Sequence, residues 1–308
     1  VQAESEVASI NMLYGGGGSG KRVFTTSSSP GIALMQEGIS YMAGAEIPGV
    51  IVNVQRGGPG LGTIQPSQGD YYQATRGGGN GDYNVIVLAP DSVQEMADFM
   101  DLAFQLAFRY RNPVMILSDG VIGQMMEKVV LPPQKPRLTD EEVMERYPWA
   151  SFGRVGGRKP NIITSLELKP EVMEERNIHL QRKYQECKDK ETRFEAIEMD
   201  DAQYAVVAFG SMARIAEKAV ELAREDGIKA GLFRPITLWP FPEKQIAELC
   251  GQCKGILVAE MNAGQMIDDV RLAVNGRGPV KHYGRQGGLV PDPSEIEKEL
   301  NILRDYAK

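Results

Sequence analysis

Short, nearly continuous apolar runs, each followed by a segment with helical spacing, recur in two series along this chain and constrain its fold more than any other feature. The first series places runs at 50–54, 85–88 and 114–117, and the second at 206–209, 231–233, 256–259 and 280–283. A strand that is apolar at every position has both faces buried, as in a parallel sheet with helices on either side. Helical spacing joins the runs. The segment 32–46 carries Leu34, Ile39 and Met42, another opens at Pro90-Asp91-Ser92 and runs to about Tyr110, and Met212, Ile215, Ala216, Ala219, Val220 and Ala223 follow the i, i+3, i+4, i+7 rule. The expected fold class is α/β, with two doubly wound parallel-sheet domains. We place the first at 1–130 and the second at 201–308, ending in a helix from Ser294 to the last residue. Between them, Pro132, Pro133, Pro136 and a run dense in Glu, Lys and Arg over 167–198 predict a linker with a solvated, charged helix over 131–200.

A length of 308 residues suits two such domains, at roughly 100–200 residues each. No apolar run approaches the roughly 18 residues of a membrane span, so a soluble chain without a membrane partner is expected. A net charge of −7 disfavours nucleic acid, whose affinity comes from massed Lys and Arg. Three cysteines and no cleavable leader point to a reducing, cytoplasmic setting.

Of thirty-four glycines most fall before residue 85, largely in clusters, and the site is expected there. The opening segment 6–13 has helical spacing, which Gly15 to Gly18 are expected to stop; a short buried strand over 22–26 and a turn over 27–31 follow. With no strand before residue 6, the first domain is expected to lack one βα unit. Gly15-Gly16-Gly17-Gly18-Ser19-Gly20-Lys21 has phosphate-loop spacing, but Arg22 stands where a Ser or Thr is needed and the order is helix, loop, strand rather than the reverse. A tight connection is the better reading. Cys250 and Cys253 have redox-motif spacing but follow a helix, and three thiols cannot hold an iron–sulfur cluster of four. His179 and His282 are too isolated for a metal pair, with His179 expected on a solvated helix face and His282 on a strand.

Two residues carry chemistry. Glu6 opens a helix lined by Val7, Ala8, Ile10 and Met12, so its carboxyl is expected to be partly desolvated and able to share a proton with a ligand nitrogen; an ordinary first-turn Glu facing the helix dipole is the alternative. Arg56 leaves a buried strand for Gly57-Gly58-Pro59-Gly60-Leu61-Gly62, at the carboxyl edge where parallel sheets bind ligands. It could grip a carboxylate through two parallel bonds, cap the strand, or pair with Asp70.

The segments Gln2-Ala3-Glu4-Ser5-Glu6-Val7-Ala8-Ser9-Ile10-Asn11-Met12, Thr26-Ser27-Ser28-Ser29-Pro30-Gly31 and Val54-Gln55-Arg56-Gly57-Gly58-Pro59, with Gln68-Gly69-Asp70 after them, resemble the 2-oxoacid:ferredoxin oxidoreductases, in the subunit carrying the pyrimidine-binding domain for thiamine diphosphate. Pro66-Ser67-Gln68-Gly69-Asp70-Tyr71 and Gly77-Gly78-Gly79-Asn80-Gly81-Asp82-Tyr83 are most similar to the 2-ketoisovalerate (branched-chain) type. Arg234-Pro235-Ile236-Thr237-Leu238-Trp239-Pro240-Phe241-Pro242 and Glu260-Met261-Asn262-Ala263-Gly264-Gln265-Met266 resemble the family's transketolase-C-terminal-like domain.

The resemblance implies CoA-dependent oxidative decarboxylation of a 2-oxoacid with electron transfer to ferredoxin. It assigns Glu6, ahead of Glu4, to N1′ of the aminopyrimidine, and Arg56 with Gly57 and Gly58 to the substrate. Ser27, Ser28, Ser29, Pro30 and Gly31 would line the cofactor cleft. The family's Y-P-I-T-P stretch is absent, and Ser118-Asp119-Gly120 only echoes its Mg²⁺-binding G-D-G. Mg²⁺ and diphosphate binding are therefore expected from a partner subunit carrying the diphosphate domain, with no metal ligand here. Electrons would leave through an iron–sulfur, ferredoxin-like subunit or ferredoxin, in a dimer of hetero-oligomers. The same reaction on 2-oxoglutarate and a non-catalytic assembly role are the alternatives.

Overall fold

The computed structural model describes residues 1–306. The first part contains α1 (Glu6–Gly18), β1 (Phe24–Ser27), α2 (Ser29–Gly44), β2 (Gly49–Gln55), α3 (Tyr71–Arg76), β3 (Ile86–Leu88), α4 (Val93–Tyr110), β4 (Pro113–Asp119) and α5 (Gly120–Gln124). A long connection carries α6 (Asp140–Arg146), a short 3₁₀ turn and α7 (Pro170–Lys190). The rest contains β5 (Phe194–Ile197), β6 (Tyr204–Val207), α8 (Gly210–Glu225), β7 (Ala230–Pro235), β8 (Thr237–Trp239), α9 (Glu243–Gln252), β9 (Gly255–Glu260), α10 (Met266–Val274), β10 (Val280–Gly284) and α11 (Pro293–Tyr306). The last two residues of the expected final helix, Ala307 and Lys308, lie outside the described residues.

The chain is α/β, with two five-stranded sheets ordered β1-β2-β4-β3-β8 and β10-β9-β6-β7-β5. Both are mostly parallel, as the apolar runs predict. Each also gains one antiparallel edge strand that the sequence did not reveal, β8 against β3 and β5 against β7. Those strands also cross the expected boundaries: β5 lies in the 131–200 segment but pairs in the second sheet, whereas β8 lies beyond 201 but pairs in the first. In the second sheet Val207, Phe233 and Val258 face the larger core, while Val206, Leu232 and Leu257 face a second core under α8 and α11. That alternation is the strand's period of two.

Three local expectations are corrected. The glycine run does not stop α1, which continues through Gly18 and ends at Ser19 and Gly20. A Cβ on Gly17 would come 2.3 Å from the Pro48 carbonyl and one on Gly16 2.8 Å from Val23, so these glycines are a packing face. The strand expected to be buried, β1, is an edge strand with Phe24 and Thr26 exposed. The turn expected over 27–31 is mostly helix, because Pro30 is pre-set for a helical first turn and α2 begins at Ser29. Within the connection, Leu180, Tyr184 and Cys187 of α7 enter the larger core, so that helix is solvated on one face alone.

Candidate active site

The carboxyl edge of the first sheet gathers the end of β1, the N-terminus of α2 and the Arg56 loop. Ser5 caps α1, its side chain accepting from the Ala8 amide at 3.2 Å, and so fixes Glu6 in the first turn. Glu6 is half-buried in a cleft of about 610 Å³ lined also by Glu4, Ser9, Thr25, Ser27 and Met35. Ser9 and Thr25 hydroxyls meet across it at 2.6 Å. The Glu6 carboxylate accepts no hydrogen bond among the described residues and lies over Gly31. A Cβ there would stand 2.8 Å from Glu6 Oε1 and 2.1 Å from Ser27 Oγ. The site thus presents a carboxylate with free acceptor capacity beside a helix N-terminus.

Arg56 is not in that cleft, nor are Gly57 and Gly58. Its Nε donates to Ser28 Oγ at 3.3 Å, and its Nη1 donates to the carbonyls of Leu61 and, at 3.2 Å, Thr63. Only Nη2 lacks a partner among the described residues. The guanidinium therefore braces its own loop and reaches the cleft's neighbour, Ser28, with one nitrogen to spare. A two-bond grip on a carboxylate would require releasing one of these bonds. Gly58 faces open space, whereas a Cβ on Gly57 would come 3.1 Å from the Gly287 backbone, so Gly57 is a contact between the two halves.

The expected alternative pairing of Arg56 with Asp70 does not occur. Asp70 accepts instead from Ser29 Oγ at 2.6 Å and Asn53 Nδ2 at 3.0 Å, while Asn53 Oδ1 accepts from the Ser29 amide at 3.1 Å. This triad anchors the start of α2. Sequence reasoning gave Asn53 no role and Asp70 only a possible pairing with Arg56; the available signal for Asn53 was a polar residue inside an apolar strand.

One step along the loop, Gln68 is fully buried. Its Nε2 donates to the Phe209 carbonyl at 2.7 Å and its Oε1 accepts from the Met261 amide at 3.1 Å. These positions follow β6 and β9, between which the second sheet reverses its winding. A loop of the first half thus fills the crevice where such sheets commonly take ligands.

The remaining candidates are structural. Asp119 caps α5, accepting from the Val121 amide at 2.8 Å, and accepts from Ser211 Oγ at 2.6 Å; burial raises its pKa against these hydrogen bonds. The helical glycine run leaves no phosphate loop, and Lys21 pairs with Asp140 at 2.5 Å on the surface. Cys253 Sγ donates to the Ala202 carbonyl at 3.7 Å, and burial pushes its thiol up to about 11, away from thiolate chemistry. His179 lies exposed on α7, 3.1 Å from Glu46, and His282 lies on β10, 3.7 Å from Glu260.

Comparison with known proteins gives a consistent picture. The family model described as pyruvate flavodoxin/ferredoxin oxidoreductase, thiamine diphosphate-binding, matches residues 1–197, and that of pyruvate:ferredoxin oxidoreductase core domain II matches 202–296. Ketoisovalerate oxidoreductase subunit VorB of Methanothermobacter thermautotrophicus is 50% identical, over 100% of this chain and 84% of that one. 2-Oxoglutarate synthase subunit KorA of Methanothermobacter marburgensis is 36% identical over 97% of this chain and 85% of that one. Among solved structures, the 2-oxoglutarate:ferredoxin oxidoreductase from Magnetococcus marinus with 2-oxoglutarate, coenzyme A and succinyl-CoA bound superposes with a TM-score of 0.78 at 25% identity, covering 98% of this chain and 57% of that one. A split-gene transketolase, an inactive tetramer, shares the fold with a TM-score of 0.60 at 14% identity, over 99% of this chain and 83% of that one.

Proposed function

The chain belongs to the pyruvate flavodoxin/ferredoxin oxidoreductase family, and from that premise we propose that it is the pyrimidine-domain subunit of a 2-ketoisovalerate:ferredoxin oxidoreductase. The reaction converts a 2-oxoacid and CoA to acyl-CoA and CO₂, with the released electron pair reducing ferredoxin. Identity of 50% to a ketoisovalerate subunit against 36% to a 2-oxoglutarate subunit favours the branched-chain substrate.

The observation that carries this reading is the unpaired Glu6 carboxylate over Gly31. Where the glycine leaves room, Glu6 holds the aminopyrimidine of thiamine diphosphate by accepting from N1′ and takes or returns the proton there. The cofactor, when bound, supplies the electron sink for decarboxylation. Ser27 to Gly31, with Ser29 fixed by Asn53 and Asp70, form the wall on this side. A partner subunit of the diphosphate domain supplies Mg²⁺ and the diphosphate contacts. Arg56 meets the substrate carboxylate through Nη2, and Gly57 and Gly58 shape the loop that carries it. Electrons pass to an iron–sulfur, ferredoxin-like subunit or ferredoxin, in a cytoplasmic complex built as a dimer of hetero-oligomers.

The test is Glu6→Gln in the complex reconstituted with its partner. Cofactor binding is expected to persist while exchange of the cofactor's C2 proton, followed by NMR, and turnover on 2-ketoisovalerate fall by about 10²–10⁴. Unchanged exchange would remove Glu6 from the mechanism. Side-by-side turnover on 2-ketoisovalerate, 2-oxoglutarate and pyruvate decides the substrate.

A further inference from the structure

At the opposite end of the first sheet lies a second cavity of about 380 Å³, lined by Glu46, Arg109, Arg111, Arg182, Lys183 and Glu186 among others. Glu46 precedes β2 and Arg56 follows it, so seven residues of strand at about 3.3 Å each set this cavity roughly 20 Å from the Arg56 loop. Its volume falls at the small end of the roughly 300–1,000 Å³ of ligand pockets.

Two of its walls are held in an uncommon conformation. Glu46 and Arg111 are non-glycine residues in the left-handed region, at φ 54° and 46°. They face each other: Arg111 Nε donates to the Glu46 carbonyl at 3.2 Å. Each closes a helix, Arg111 at the C-cap of α4 and Glu46 just after α2, where a left-handed residue commonly ends the turn. Here the conformation lays the Arg111 guanidinium over the Trp149 ring at 4.7 Å and leaves Nη1 and Nη2 without hydrogen-bond partners among the described residues.

The charges do not cancel. Lys183 is buried, with 9% of its surface exposed, and its ammonium makes two long bonds, 3.3 Å to Glu46 Oε1 and 3.3 Å to the Arg111 carbonyl. A third donor is left over. Glu46 also meets His179, Glu186 is taken by Lys190 at 2.7 Å, and Arg109 by Glu191 at 2.9 Å. Arg182, exposed on α7, has no hydrogen bond or ion pair among the described residues. Arg111, Arg182 and Lys183 thus direct spare donors into one cavity of a chain whose net charge is −7. Planar guanidinium forks with a buried ammonium match the several oxygens of a phosphate group.

We propose that this cavity is a second binding site, separate from the Glu6 cleft, for a small phosphate-bearing anion of diphosphate size. Trp149 reports on it through its contact with Arg111. Inorganic pyrophosphate titrated into the chain at constant ionic strength is expected to change tryptophan emission saturably. The change disappears in Trp149→Phe, which keeps Trp239, while calorimetry still detects binding. Arg182→Glu, a side chain that holds nothing else in place, is expected to weaken binding at least tenfold without moving the melting temperature, and Arg182→Lys less. No saturable response by either method, an emission change that survives in Trp149→Phe, or equal binding by Arg182→Glu would each overturn the site.

Discussion

Gly31→Ala sets the stability and the activity of this chain against each other. Gly31 is helical, within the first turn of α2, where alanine is favoured over glycine by up to about 1 kcal/mol. The added methyl, however, would stand 2.1 Å from Ser27 Oγ, 2.8 Å from Glu6 Oε1 and 2.9 Å from Glu6 Cγ. Ser27 can rotate away. Glu6 cannot yield by its tip alone, because Cγ also clashes, so the whole carboxylate arm swings. Restoring ordinary contact moves Oε1 by at least about 0.5 Å, the tolerance of a working constellation, and misplacement by about 1 Å costs near 10²-fold. We expect turnover of the reconstituted complex to fall by about 10–10²-fold, while the melting temperature stays within about 4 °C of the parent. Steady-state kinetics beside a thermal melt measures both. Turnover within twofold of the parent, or a large melting loss with normal turnover per folded molecule, would refute the placement of Glu6 as the working carboxylate.

Arg56→Lys is expected to raise the 2-oxoacid KM at least tenfold, since a lost hydrogen bond to a charged group costs about 1.5–3 kcal/mol, and to lower the melting temperature because the Leu61 and Thr63 carbonyls lose their donor; a melting shift with normal KM would make it a loop brace alone. Gln68→Leu leaves the Met261 amide buried without a partner, at about 1–3 kcal/mol, and leaves the Phe209 carbonyl with the Ala213 amide alone, which denaturant unfolding should register as a lowered midpoint. Glu191 is buried, which raises its pKa, but Tyr110, Arg193 and Arg109 outweigh burial and leave it below the usual 4.5. Its contribution is therefore present above pH 4.5 and lost as pH falls through the lowered value. Glu191→Gln should be less stable near neutrality and show a shallower acid loss; an unchanged acid profile would place the acid sensitivity elsewhere.

Most of the central strands could be read from composition, because a run that is apolar on both faces has few other homes. The antiparallel edge strands could not: β5 carries Glu195 and β8 is three residues long, and both exist because a neighbour's open backbone accepts them. The glycine run of α1 misled for a related reason. A glycine's local preference favours stopping a helix, and only the nearby Pro48 carbonyl and Val23 explain why this helix needs the space. Glu6 and the Ser27 to Gly31 segment could be singled out through the family's motifs, and the fold brings Glu6, Ser27 and Gly31 together. The Asn53, Asp70 and Ser29 hydrogen bonds could not be, since they join residues 17 and 41 positions apart along the chain.

The strand β8 also has a practical meaning for anyone who would cut this protein in two. Thr237 and Trp239 lie against Leu88 and Val87, and Trp239 in turn meets Tyr184 of α7 edge-on, with ring centres 5.5 Å apart. A fragment stopping near residue 200 would keep every other strand of the first sheet yet bare the backbone edge of Ile86, Val87 and Leu88, all of them apolar. Such an edge recruits another like itself. The fragment is therefore expected to aggregate, and the smallest piece able to stand alone must include a strand that, by sequence position, belongs to its neighbour.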